Sequence, residues 1–367
     1  MTTELSQATP PGNKDGYKSG EKSGANSDAH ADGNPGPVLA SAPQGRLDGS
    51  IDLHHWGVIR LEGADSASFL QGQLTQDFVL LKPDQARLAA FCSAKGRMQA
   101  SFIGFKRSDT EILLLCSRDI LPATLKRLSM FVMRAKTKLT DASAEFSLTG
   151  LAGSAVEDLK DSVQNESPDG LPESLSAGVC WHAGDQSFIG LHPADGVLRA
   201  LKVAPVNPNL GDNKDAAVAL ASPDHLTHGL WLWGEVRSGI ATITAPIVDA
   251  FVPQMLNYES VGGVNFKKGC YPGQEVVARS QFRGTLKRRA YLVHCSAAMA
   301  AGDEVFGMAD ADQACGTVAQ TAAAPGGGFD AIVSMQVAAA AGGLTHASAA
   351  GAKIELLPLP YALLEDI

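Results

Sequence analysis

The sequence lacks the features that mark several common protein classes. It has no apolar run close to the roughly 18 residues of a membrane-spanning helix, and its first residues are polar and acid-bearing, unlike an export signal or a transit peptide. None of its six cysteines is spaced as CxxC, and Gly-rich phosphate loops, GxSxG and HExxH are missing. We therefore expect a cytoplasmic protein with reduced thiols and no stably bound metal.

The composition is ordinary for a globular protein, with an acidic balance. Of 367 residues, 45% are hydrophobic and 19% are charged, and the formal net charge is −9. This balance argues against a general nucleic-acid coat. Residues 1–46 are rich in Gly, Ser, Pro, Asn, Asp and Lys, and we predict a disordered tail because they carry too little apolar surface to offset the entropy of ordering.

The exception to the acidic balance is the run 262–289, in which seven cations accompany one acid, Glu275. Cys270 lies in the middle of this run, just before a Pro-Gly turn. A positive field attracts anions and favours the thiolate. One thiolate is too few ligands for a structural zinc or a whole iron–sulfur cluster. We interpret Cys270 as a reactive or transiently ligating residue; the alternative is a small buried hydrophobe.

Hydrophobic periodicity predicts an α+β protein. From Trp56 to about residue 140 the order strand, helix, hairpin, strand, helix, strand is typical of a split βαβ sandwich. The second helix of this order is predicted in RDILPATLKRLSMFVMRAKTKL. Short strand patterns recur from 146 to 201, residues 203–224 indicate a surface loop, and a helix carries HGLWLWGEVRSGI. Strand patterns after residue 289 predict a small barrel.

The string KKGCYPGQEVVARSQFRGTLKRR resembles the signature of the folate-binding YgfZ-like proteins, relatives of the T-protein (aminomethyltransferase) of the glycine cleavage system. Other stretches resemble the same family, namely LHHWGVIRLEGADSASFLQGQLTQD, the AKGRM turn, RSGIATI and FVPQMLNYESVGGVNF. The resemblance implies a three-domain ring of the T-protein type, with two ferredoxin-like (split-βαβ) α+β domains and a C-terminal β-barrel. Residues 47–61 with 140–284 would form the domain that carries the signature, 62–139 the second α+β domain, and 285–367 the barrel.

The resemblance also implies tetrahydrofolate or a derivative as the cofactor. A flat pterin suits an aromatic or apolar slot, and its anionic glutamate tail suits the basic run. The chemistry would fall to Cys270 and Lys268. The predicted cofactor-binding residues are Trp56, Trp231, Lys268, Tyr271, Gln274, Arg279 and Arg283. The family implies the tryptophans and the signature residues centred on Lys268, whereas Arg279 and Arg283 are included because their charge suits a carboxylate tail.

One departure from the family pattern bears on activity. Where T-proteins carry aspartates after a Gly turn, this chain has Gln99, Ala100 and Ser101. Near the places of the acid with which T-proteins grip the pterin, it has Arg237 or Gln254. Without a general base or an acidic anchor, aminomethyl transfer is not expected. Whether the chain is an enzyme stays open.

The resemblance therefore implies an accessory protein that supports iron–sulfur cluster assembly or repair in client enzymes, including enzymes that thiolate tRNA. The expected partners are folate, transient iron–sulfur clients and, indirectly, tRNA, with no membrane. One alternative is a folate-dependent one-carbon transferase acting on an unknown acceptor such as tRNA. Another is an RNA-binding module that uses the basic run, which strongly salt-dependent tRNA binding would favour.

Overall fold

The computed structural model describes residues 42–164, 175–206, 226–282, 285–308 and 310–364. Most of the tail predicted for 1–46, and most of the loop predicted for 203–224, lie outside these residues. The start of that loop was predicted wrongly, because residues 203–205 form the end of a strand. In the part of the chain that is described, no helix is long and apolar enough to cross a membrane.

The described chain begins with two strands that enter different sheets. Strand β1 (Gly49–Asp52) is the edge of one five-stranded sheet, and β2 (Trp56–Glu62) lies inside another. Only residues 53–55 separate the two strands. We call the sheet that contains β2 sheet I and the sheet that contains β1 sheet II.

Sheet I has the strand order β3-β4-β5-β2-β6, with antiparallel neighbours throughout. Six of the seven residues of its strand at 111–117 are buried, which explains why EILLLC is a continuous apolar run rather than an alternating one. The remaining elements of this region are β3 (Ala86–Cys92), β4 (Met98–Lys106), β5 (Glu111–Ser117), β6 (Lys138–Asp141), α1 (Ser66–Gln71) and α2 (Leu121–Ser129).

Helix α2 is shorter than its apolar pattern suggested. Leu121 and Leu128 are buried on one face, but the helix ends at Ser129. Met130 and Met133, which continue the apolar pattern, are 72% and 88% exposed. Because these side chains find no core to pack against, they do not extend the helix, and the chain runs irregularly from residue 130 to β6.

Sheet II has the order β1-β7-β10-β9-β8, again with antiparallel neighbours. Strands β9 and β10 join through Asp195 and Gly196, whose φ values are 48° and 78°. Two consecutive positive φ angles are what a two-residue hairpin turn requires. The elements of this region are β7 (Phe146–Ala152), α3 (Ser154–Gln164), β8 (Cys180–Ala183), β9 (Gln186–Ala194), β10 (Val197–Pro205) and α4 (His228–Arg237).

The C-terminal strands form a closed six-stranded barrel in the order β11-β14-β13-β12-β15-β16. The predicted α+β class with a C-terminal barrel is therefore confirmed. Helix α5 (Gln274–Phe282) precedes the barrel and carries the end of the signature. The strands are β11 (Arg288–Cys295), β12 (Glu304–Gly307), β13 (Asp310–Ala323), β14 (Phe329–Gln336), β15 (Leu344–His346) and β16 (Lys353–Leu357).

Two apolar cores hold these parts together. The facing sides of sheets I and II pack into a core that includes Trp56 and Trp231. A larger core joins sheet I to the segment 236–264 and to barrel residues such as Leu292. The predicted division into domains stays a prediction; β2 itself pairs with β5 and β6 of sheet I, whereas residues 47–61 were assigned with 140–284.

Candidate functional site

A cavity of about 270 Å³, here cavity 1, lies where sheets I and II meet α4. Apolar residues from both sheets line it, together with polar groups from α4 and from the segment that precedes the signature. A second cavity of about 550 Å³, cavity 2, lies between sheet I, α4 and the barrel. Both cavities are bordered by Trp56, Glu235 and Thr242.

Glu235 is the polar centre of the wall of cavity 1. Its Oε1 accepts hydrogen bonds from Trp56 Nε1 at 2.9 Å and from Trp231 Nε1 at 2.8 Å. Its Oε2 accepts a longer bond, 3.3 Å, from Gln320 Nε2 of the barrel. Trp231 and Glu235 are four residues apart in α4, so that the two side chains share one helix face. The carboxylate is thus held between two indoles that are 175 residues apart in sequence (231 − 56).

The carboxyl group of Glu235 is buried but ionised. Burial alone raises its pKa, yet the hydrogen bond and charge of His55 and the charge of Arg199 outweigh burial, so that the pKa falls below the ordinary value. Helix α4 fixes this group because its first turn is capped by Thr227, whose side chain accepts from the backbone N–H of Leu230.

Arg199 supplies the opposite charge in the same wall. Its Cζ lies 4.3 Å from the centroid of the Trp231 ring, and its Nη1 donates to the carbonyl of Gly234 at 3.1 Å. Burial lowers the pKa of Arg199 to about 10, against the charge of Glu235. The guanidinium therefore stays cationic at neutral pH and stacks on the indole.

Trp231 has no solvent-exposed surface. A Cβ built on Gly150 of β7 would lie 2.6 Å from its Cζ3, so that β7 packs directly against the ring. With Arg199 also stacked on it, Trp231 orients Glu235 and forms part of the cavity wall. A direct stacking contact between Trp231 and a ligand remains a prediction.

His55 connects Glu235 to the surface. Its Nε2 lies 3.0 Å from Glu235 Oε1, and its Nδ1 lies 3.1 Å from Nε2 of the exposed His228. Burial and the neighbouring charge of His55 lower the pKa of His228. Among the residues that the structure describes, no group of three or more His, Cys, Asp or Glu side chains is arranged to hold a metal ion.

Lys268 lies apart from cavity 1. Its Nζ donates to the carbonyls of Gln71 at 2.6 Å and Leu74 at 2.9 Å, and it lies 4.5 Å from the centroid of the Tyr271 ring. Burial lowers the pKa of Lys268 to about 8, although the charges of nearby acidic groups oppose the shift. Lys268 thus joins the signature to the end of α1, where carbonyls lack partners in the helix.

The other predicted signature residues have different surroundings. Cys270 is exposed, whereas the other five cysteines are buried, and all six are free. Tyr271 is buried and Gln274 begins α5. Arg279 forms a surface ion pair with Glu275 at 2.6 Å. Arg283 lies outside the described residues.

The structure therefore does not bring the predicted site residues into one cluster. Trp56 and Trp231 line cavity 1, and none of the five described signature residues does: Lys268, Cys270, Tyr271, Gln274 and Arg279. The signature run reaches the cavity only at its start, where the carbonyl of Gly262 accepts from Gln76 Nε2 at 2.6 Å.

Sequence reasoning missed the acid in the cavity. It weighed Arg237 and Gln254 as replacements for an acidic anchor, and Arg237 forms an ion pair with Asp195 at 2.5 Å. The acid that lines cavity 1 is instead Glu235, two residues before Arg237. The available signal was the only acid in this helix, four residues after a tryptophan and within a mostly apolar stretch. Of the three residues found where T-proteins carry aspartates, Ser101 lines cavity 1, and its Oγ accepts a hydrogen bond from the backbone N–H of Ile243.

No family model matches the sequence. Among solved structures, the chain resembles glycine cleavage system aminomethyltransferase T from Bartonella henselae, with a TM-score of 0.60, 16% sequence identity and 87% of each chain covered. This similarity shows that the chain has the fold of that aminomethyltransferase. Heterotetrameric sarcosine oxidase from Corynebacterium sp. U-96, in complex with pyrrole 2-carboxylate, has a TM-score of 0.29 and 14% sequence identity, with 41% of this chain and 73% of that chain covered. This TM-score is too low to indicate a shared fold.

Proposed function

We propose that the chain binds tetrahydrofolate or a derivative in cavity 1 and supports iron–sulfur cluster assembly or repair in client enzymes, including tRNA-thiolating ones. The observation that carries the binding part is the buried Glu235 carboxylate, held by Trp56 and Trp231 in the cavity wall. The aminomethyltransferase-like fold agrees with a folate-related function.

The chemistry of a pterin suits this wall. One edge of its amino-oxo-pyrimidine ring presents adjacent N–H donors, and an ionised carboxylate accepts such donors strongly. Among the residues that the structure describes, Glu235 Oε2 accepts a hydrogen bond only from Gln320, at 3.3 Å, so it retains acceptor capacity. Phe102, Ile103 and Leu201 provide apolar surface for a flat ring.

The size of cavity 1 limits what it holds. A volume of about 270 Å³ accommodates a bicyclic ring but not a whole folate, so the aminobenzoyl-glutamate part would extend beyond it. We propose, as the signature suggests, that cations of the basic run meet the anionic end of the ligand.

The iron–sulfur part of the proposal rests on Cys270. It is the exposed thiol among the six cysteines, all of which are described, and therefore the one available for ligation or exchange with a partner. Lys268 lies in the same segment and is hydrogen-bonded to the end of α1, so it would fix the backbone beside Cys270. Clients would bind transiently, and tRNA would be affected through them.

Calorimetric titration with tetrahydrofolate tests the binding part. We expect saturable binding to the wild type and at least about tenfold weaker binding, or about 1.4 kcal/mol, to Glu235→Gln. Glu62→Gln, at the exposed end of β2, is the matched control and should bind as the wild type does. Absence of wild-type binding would refute the folate proposal, and equal affinity of Glu235→Gln would remove the role of Glu235.

Complementation in cells that lack the protein tests the iron–sulfur part. Cys270→Ala should keep its stability and its affinity for tetrahydrofolate, because the side chain is exposed and free, but it should not restore the activity of iron–sulfur enzymes. Full restoration would show that the thiol is dispensable.

One observation favours the second candidate, a folate-dependent one-carbon transferase. His55, which lines cavity 2, is hydrogen-bonded to Glu235 and linked to the exposed His228, so it is placed to pass a proton between Glu235 and the surface. Product formation from 5,10-methylenetetrahydrofolate and an acceptor, lost in His55→Gln, would support it.

A further inference from the structure

The chain has a second basic segment, outside the signature. Residues 126–138, KRLSMFVMRAKTK, contain five cations and no acid, in a protein whose formal net charge is −9. This segment includes the end of α2, the irregular stretch after it and the start of β6. A positive region in an acidic protein favours a specific site for an anionic partner over non-specific electrostatic binding.

The same segment exposes large apolar side chains. Met130 is 72%, Phe131 43% and Met133 88% exposed. A grouped set of exposed apolar residues marks an interaction site, whereas isolated ones do not. Methionine side chains are flexible and polarisable, and they adapt to the shape of a partner. The apolar group is thus suited to a protein surface.

The surrounding cations are uncompensated. Lys126, Arg127, Arg134 and Lys136 are exposed, and none forms an ion pair with a residue in the described ranges. One acid lies beside the segment: Asp65 Oδ2 accepts from the backbone N–H of Lys136 at 2.7 Å, but it forms no ion pair with these four cations. The charge on this surface is therefore available to a partner.

This surface and Cys270 flank the same end of β3. Phe131 packs edge-on against Phe91, with ring centroids 6.5 Å apart. Phe91 is bridged to Leu74, whose carbonyl accepts from Lys268.

The turn after β3 makes a second connection. A Cβ on Gly273 would lie 2.4 Å from the carbonyl oxygen of Ser93 and 2.6 Å from Cα of Gly96, so the chain just past Cys270 packs on this turn. Lys95 in the turn and Lys267 in the signature are exposed as well, and neither has an ion pair with a described residue.

We propose that residues 126–136, with Lys95 and Lys267, form a docking surface for an acidic, apolar segment of a partner protein and so deliver that partner to Cys270. Charge complementarity identifies the occupant: uncompensated cations surround exposed methionines, which favours carboxylates around apolar side chains. The proposal rests on the proposed function only for the role of Cys270, and it does not depend on folate.

Thiol exchange with defined peptides tests the surface. The probe is a synthetic peptide of Glu, Asp, Leu and Phe with one cysteine, supplied as its mixed disulfide with nitrothiobenzoate. The Cys270 thiolate attacks the peptide sulfur, the original S–S bond breaks, and nitrothiobenzoate leaves as a coloured thiolate. A peptide with Lys in place of every acid is the comparison, and Cys270→Ser is the blank.

We expect the acidic peptide to react at least about tenfold faster than the basic peptide, within the range of electrostatic steering. The difference should collapse at about 1 M salt, where the Debye length is about 3 Å. Arg134→Gln and the double variant Met130→Gln/Met133→Gln should each slow the acidic peptide severalfold. Met308→Gln, an exposed methionine of the barrel region, should not.

A small neutral disulfide, dithiodipyridine, should react equally with all of these variants, because Cys270 itself is unchanged. Equal rates for the two peptides, or variants that react as the wild type does, would overturn the proposal. Binding of phosphatidylserine vesicles that is lost in the double variant, without a peptide preference, would replace the partner protein by a lipid surface. Tetrahydrofolate titration of the double variant distinguishes a failure of the docking surface from a failure of the folate proposal, because the docking surface does not depend on folate.

Discussion

Replacing Gly150 by Ala should disturb cavity 1 from behind Trp231. The added Cβ would lie 2.6 Å from Cζ3 and 2.7 Å from Cε3 of the indole, well inside contact distance. The ring has little room to move, since it is fully buried, is bonded to Glu235 and carries Arg199 on its face. Overpacking of this kind costs about 1–3 kcal/mol, and we expect that loss in the free energy of unfolding.

Urea denaturation followed by tryptophan fluorescence measures the loss, and tetrahydrofolate titration measures the accompanying fall in affinity as Glu235 is displaced. Gly326→Ala is the matched control, because a Cβ there meets no heavy atom within 4 Å; its stability should stay within about 0.5 kcal/mol of the wild type. Wild-type stability and affinity in Gly150→Ala would refute the idea that β7 fixes the tryptophan and, through it, the carboxylate.

Other perturbations test the charges and the thiols. The stabilising contribution of Glu235, whose pKa is lowered on folding, should be present above its unfolded pKa and lost as pH falls below about 4.3. The stability difference between the wild type and Glu235→Gln, from urea titrations, should shrink accordingly. For Lys268 the sign is opposite: between about pH 8 and 10.5 only the unfolded state keeps the proton, so the wild type should gain stability relative to Lys268→Gln as pH rises. An unchanged difference across either range would contradict the corresponding assignment. Ellman's reagent should detect one fast thiol in the native protein and none in Cys270→Ser, since the other five cysteines are buried; a second fast thiol would contradict this.

Local patterns predicted most of the elements. Five of the six barrel strands, together with β7, β8 and β9, followed from apolar runs bounded by turn residues. The exception is β15, which lies in an Ala-rich run whose structure the pattern left ambiguous. Strand β10 was missed although Asp195-Gly196 is a strong hairpin signal, because Arg199 and Lys202 interrupt its apolar pattern. The length of α2 was overestimated for a tertiary reason: periodicity shows where apolar residues lie, but not whether a core covers them.

The candidate site was predictable only in part. The family resemblance pointed to Trp56 and Trp231, which do line one cavity. It could not show that Lys268 binds the backbone carbonyls of Gln71, at the end of α1, and Leu74 instead. Those contacts join positions almost 200 residues apart in sequence, namely 197 and 194 residues. Glu235 was overlooked for the same reason. Its burial and its bonds to Trp56 and His55 exist only after the two sheets have met α4.

The short link at residues 53–55 limits where the chain can be cut into fragments. Strand β1 completes sheet II, yet the chain builds sheet I before it returns to β7, the neighbour of β1. A fragment that starts at Trp56 would leave β7 as an open edge, with unpaired backbone groups ready to aggregate. A fragment that stops after β6 would carry β1 without its partner. Division at either point would separate paired strands, so we expect neither fragment to fold as the compact unit from Ala40 to Ile367 does.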